Sequence, residues 1–82
     1  MNDKIYKALQ YLKNDDWEEA HLIAQSKEGN PDFDLLHAFL HRWEGDTSNA
    51  KYWYSICNLN LPEIPLIEEL NQLMERYKPA GK

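Results

Sequence analysis

Apolar side chains recur every three to four residues along almost the whole chain, and short polar or glycine-containing breaks interrupt them. Such a pattern leaves room for short amphipathic helices and little else. Ile5, Leu9 and Leu12, with Ala8 beside them, predict a first helix over 3–13, ended by Asn14 and Asp15. Asp15 or Asp16 can cap a second helix, whose first turn carries Glu18 and Glu19 where the helix dipole favours acids. Trp17, Ala20, Ile23, Ala24 and Lys27 mark one face of it, and Gly29-Asn30-Pro31 breaks it.

Asp32 is expected to open a third helix lined by Phe33, Leu36, Leu40 and Trp43, with Leu35 and Phe39 extending the stripe. Gly45 suits its end, because glycine takes positive φ cheaply. Asp46 or Thr47 caps a fourth helix, with Ala50, Trp53 and Cys57 inward and Tyr54 at the border. Pro62 and Glu63 suit the start of a fifth, whose apolar side is Ile64, Ile67, Leu70, Leu73, Met74 and Tyr77. Pro79 closes it, and residues 79–82 are expected to fray.

The predicted fold is all-α: about five short helices in a single domain over 1–82, arranged as two antiparallel hairpins plus a C-terminal packing helix. Asp16-Trp17-Glu18-Glu19-Ala20 is echoed 30 residues later by Asp46-Thr47-Ser48-Asn49-Ala50. That echo resembles tetratricopeptide-type stacking, with a shorter period than usual and an incomplete consensus; an irregular bundle is the other arrangement open.

Charge narrows the function classes. The net charge is -5, and the acidic excess is shared by both halves of the chain with no basic block. Nucleic acid and anionic membranes are therefore poor partners. No segment approaches membrane-span length, and MNDKIYKALQ lacks the apolar core of a signal peptide, so a cytoplasmic location is expected. Cys57 is the single cysteine, which rules out an internal disulfide. It falls near a helix C-terminus, where the dipole does not favour a thiolate, and it is expected to be packing. There is no glycine-rich phosphate loop, serine elbow or zinc-finger spacing.

Candidate chemistry gathers between His37 and Tyr54. His37 and His41 are one helical turn apart, and Glu44 follows three residues later on the same side. The pair is expected at the rim between the Phe33–Leu40 stripe and solvent. It can place two imidazoles on one metal ion, with Glu44 holding His41 through a ring N–H. An antiparallel hairpin brings His21 close as a third ligand, the set a zinc or similar divalent ion needs. The bland reading is a pair of boundary histidines hydrogen-bonded to neighbours. No other cofactor is implied. Arg42 is expected to pair with Glu44 or Asp46, or to grip an anion. Asn49 reads as an exposed first-turn residue or as an orienter of Arg42 or His41.

Tyr52, Trp53 and Tyr54 are consecutive, so one helix face cannot bury all three. Trp53 is expected inward, Tyr54 at the border and Tyr52 outward, where it forms an aromatic surface with Trp43 or Trp17. The run from His37 to Tyr54, H-x(3)-H-R-x-E-x-D-x(2)-N-A-x-Y-W, resembles a motif of small uncharacterised bacterial proteins, and Trp17-Glu18-Glu19-Ala20-His21 resembles their upstream segment. The likeness implies which positions to watch, among them His21, His37, His41, Arg42, Glu44, Asp46, Asn49, Tyr52 and Trp53. Two functions compete. The leading expectation is a non-enzymatic protein-interaction or self-association module, a homodimer included, using the rings at Trp43 and Tyr52. The alternative is a small-molecule or metal site, with acid-base chemistry as an extension, built from His21, His37, His41, Arg42 and Glu44.

Overall fold

The structure, a computed structural model, describes residues 3–79. It contains α1 (Asp3–Lys13), α2 (Trp17–Gln25), α3 (Pro31–Trp43), α4 (Thr47–Ile56) and α5 (Leu66–Tyr77). Helices α1 and α2 form one hairpin and α3 and α4 the next, joined by packing of α2 on α3; α5 lies against α1. No strand occurs among the described residues, and no described helix is long and apolar enough to cross a membrane. The expected fraying of the tail concerns residues that, beyond Pro79, lie outside the described ones.

The 30-residue echo is structural. Asp16 and Asp46 both act as N-caps, accepting from the backbone amides of Glu19 and Asn49. Their own amides close the preceding turns on Tyr11 O at 2.8 Å and His41 O at 2.9 Å. Before each cap the chain turns through positive φ, at Asp15 (64°) and at Gly45 (90°). Asp15 tolerates this because a short polar side chain visits that region more easily than most. Ala20 and Ala50, fully buried in equivalent positions, let the helices of each hairpin approach closely.

Helix α3 is the axis of the molecule. Nine consecutive residues, Phe33 to His41, are buried, so this helix is enclosed on every side. The core is built on it by Ile5, Leu9, Leu12, Leu36, Phe39, Leu40, Tyr54 and Leu70. His37 and His41 are thus interior, 4% and 7% exposed, rather than at a rim, because α2 and α4 cover the second face of α3 as well.

Several boundaries differ from expectation. Helix α2 ends at Gln25, leaving Lys27 outside it and exposed. Helix α3 begins at Pro31, with Asn30 as its cap accepting from the amides of Asp32 and Phe33. Helix α5 begins at Leu66 rather than at Pro62, since Pro65 drives Ile64 out of helical conformation and takes the cap position itself. This start turns Ile67 to solvent and buries Glu69. Tyr54 and Trp53 also exchange places: Tyr54 is buried and Trp53 half-buried. The Tyr54 hydroxyl can be interior because it donates to Glu69 Oε2 at 2.7 Å.

Candidate metal centre

Helix α2 contributes His21, and α3 contributes His37 and His41 from successive turns. The hairpin stacking that buries Ala20 and Ala24 carries His21 onto α3. The three imidazoles offer one nitrogen each within 4.8 Å of one another. His21 Nε2 and His37 Nε2 are 3.2 Å apart. Two nitrogens bound to one tetrahedral zinc at about 2.0–2.1 Å stand about 3.3–3.4 Å apart, so the pair has the spacing of two ligands. Without an ion, one ring N–H donates to the other ring's lone pair across the same gap.

Aromatic walls fix the rings. The Trp17 indole stacks on His21, centroids 4.5 Å apart and planes 14° apart, and its Nε1–H donates to Leu40 O at 2.9 Å. Trp53 stacks on His37 at 4.0 Å and 14°. The two imidazoles between these indoles are nearly perpendicular, at 86°. His41 stacks on His37 at 4.9 Å. Its Nδ1 contacts Glu44 Oε2 at 2.8 Å, so Nδ1–H donates to the carboxylate and Nε2 is the nitrogen left to face a metal. A carboxylate behind a ligating imidazole is the usual outer-shell arrangement around metals.

The ring nitrogens outnumber their partners. His21 Nδ1, His37 Nδ1 and His41 Nε2 have no hydrogen-bond partner among the described residues, and only His37 Nδ1 is closed off from solvent. Burial, and then the neighbouring His21 and His41, push His37 down from the usual 6.5 to about 4. Burial and then His41 lower His21, while Glu44, Glu28 and Glu18 oppose the shift. Near neutral pH His37 is therefore a neutral imidazole, with one N–H and one lone pair, the form a metal requires. His41, Glu44 and Asp46 also place donor atoms within 4.8 Å of one another. Asp46 is already spent on the Asn49 amide and Glu44 on His41, which makes this set an outer shell to the histidines.

The remaining expected residues divide. Arg42 pairs with neither Glu44 nor Asp46. It is drawn to α5, donating to Glu69 Oε1 at 2.5 Å and to Ile64 O, and is thereby unavailable to an anion beside the histidines. Asn49 is exposed and bonds to the Asp46 carboxylate at 3.4 Å, orienting neither Arg42 nor His41. Tyr52 is 59% exposed, edge-on to Trp53. Trp43 packs against Phe39, and no ring contact joins it to Tyr52 among the described residues. Cys57 is half-buried, its thiol against Pro31 O at 3.9 Å and pushed up by burial and then by Asp34 and Asp32. Sequence reasoning missed Trp17 as a wall of the site, although its one-turn offset from His21 was visible. It also missed Glu69, whose partners come from residues 15 and 27 positions away.

The chain matches no protein-family model, no curated protein and no solved structure.

Proposed function

We propose that this protein is a small helical metal-binding module in which His21, His37 and His41 hold one divalent transition-metal ion, zinc first. The observation that carries the reading is the convergence of three imidazole nitrogens from two helices within 4.8 Å. The neutral state of His37 near pH 7 and the Glu44 carboxylate behind His41 support it. An all-imidazole set favours zinc, copper or nickel over calcium and magnesium, which seek oxygen. The resemblance to small bacterial proteins falls on the same histidines. The proposal is one of binding, and no turnover is assigned to it.

The interaction module has less to stand on. Two of the three tryptophans stack on imidazoles and the third lies on the core, which leaves Tyr52 as the exposed member of that aromatic set.

Competition titration of tag-free protein against a chromogenic zinc chelator tests the metal reading. One zinc per chain is expected, with His37→Phe binding at least about 100-fold more weakly through loss of one of three ligands. Equal affinity in the two proteins would refute the assignment.

A further inference from the structure

Resting on the metal reading, we infer that the fourth coordination position belongs to an exogenous small monoanion or water, so that the centre is a ligand-accepting site rather than a closed structural one. Structural zinc sites complete their tetrahedron with four protein donors, whereas open sites stop at three. Among the described residues the histidine group has three members, and no carboxylate or thiol lies within 4.8 Å of all three; Glu44 and Asp46 reach His41 alone. Glu44 is engaged by His41 Nδ1. Cys57 is turned toward Pro31 O.

Access and charge agree with this assignment. His37 Nδ1 is sealed, but His41 Nε2 keeps contact with solvent, and half-buried His21 lines a surface depression with Trp17, Glu18, Glu19 and Leu22. Three neutral imidazoles leave the full double charge of the ion uncompensated within its own shell, which favours an anion at the open position. Arg42, the nearest candidate anion grip in sequence, is committed to Glu69. Glu18 and Glu19 line the same depression as His21, and the Glu44 carboxylate stands 2.8 Å from His41 Nδ1. Their combined field disfavours multiply charged anions, which selects small singly charged ones. Binding is a ligand exchange: the anion's lone pair replaces a coordinated water, which leaves to solvent, and nothing is oxidised or reduced.

The test uses tag-free protein loaded with one equivalent of Co²⁺, whose visible absorption reports coordination. Azide is expected to shift that spectrum saturably at one per cobalt. Sulfate is expected to bind about tenfold more weakly, on the Coulomb cost of one further charge beside three carboxylates. Stoichiometric cobalt binding with a spectrum that azide leaves unmoved would overturn the open position while leaving the metal site intact. A response to sulfate as strong as to azide would overturn the selection for monoanions. Failure to bind cobalt at all would overturn both readings.

Discussion

Two adjacent residues on α3 lead into opposite kinds of polar interior. His41 belongs to the imidazole cluster, where six ring nitrogens share two contacts with protein partners. Arg42 belongs to a network with Glu69, Tyr54 and the Ile64 carbonyl, in which guanidinium, carboxylate and hydroxyl are all paired. Both are largely screened from water. The Arg42 network is complete within the protein and serves as the bolt that holds α5 to the α3–α4 hairpin. The histidine cluster gathers three ring nitrogens within 4.8 Å of one another and leaves others without a protein partner. An under-satisfied buried polar group such as His37 Nδ1 is costly, and its place among three gathered imidazoles calls for a ligand in a way that a finished network does not.

The comparison breaks most readily at the bolt. Glu69→Ala leaves the Arg42 charge and the Tyr54 hydroxyl without their partner, and chemical denaturation is expected to show a loss of about 3–5 kcal/mol. Zinc affinity of the folded fraction should stay within a factor of a few; a large drop would mean that the two interiors are one site. The next effect is acid sensitivity of the metal-free protein. His37 takes a proton near 6.5 when unfolded and near 4 when folded. As pH falls through that interval the unfolded chain binds the proton first, and stability declines. The contribution is full above about pH 6.5, and its loss amounts to at most about 3 kcal/mol. Denaturation midpoints in chelator from pH 7.5 to 4 check this, and His37→Phe should flatten the slope.

At the cluster, His37→Phe is expected to retain the fold, with stability within about 1 kcal/mol of the parent, because removal of a sealed, unpartnered nitrogen offsets the lost contact with His21 while a ring stays against Trp53. Destabilisation by several kcal/mol would show the cluster to be as structural as the bolt. Glu44→Gln is milder. It weakens the hold on His41, and zinc affinity should fall about 10–100-fold with little change in melting temperature. Smallest is Tyr52→Ala, an exposed site where sedimentation at rising concentration and thermal melting should both move within error, about 0.5 kcal/mol or less. A shift in mass with concentration, abolished by this change, would restore the interaction module as the leading function.

Local chemistry explains what was readable in the sequence. The stripe Ile5, Ala8, Leu9, Leu12 and the caps at Asp16 and Asp46 act within one or two turns, and each formed where its residues indicated. The one-turn spacing of His37 and His41, with Glu44 beyond, was legible for the same reason, and hairpin closure supplied His21. Interactions across the fold were not legible. Glu69 carries no local signal of its role until α5 turns it onto Arg42, 27 residues earlier. The exchange of Tyr54 and Trp53 follows from that same carboxylate and from His37, which takes Trp53 as its stacking partner. Complete enclosure of α3 required both hairpins and so left no single-helix signature beyond the apolar run from Leu35 to Leu40, broken by His37.

Nitrogen-resolved NMR of the three imidazoles during zinc addition tests the central claim most directly. The account predicts that one nitrogen of each of His21, His37 and His41 changes together and saturates at a single equivalent, while His41 Nδ1 stays protonated against Glu44. Zinc-induced change confined to the half-buried His21, or none in His37 and His41, would contradict it.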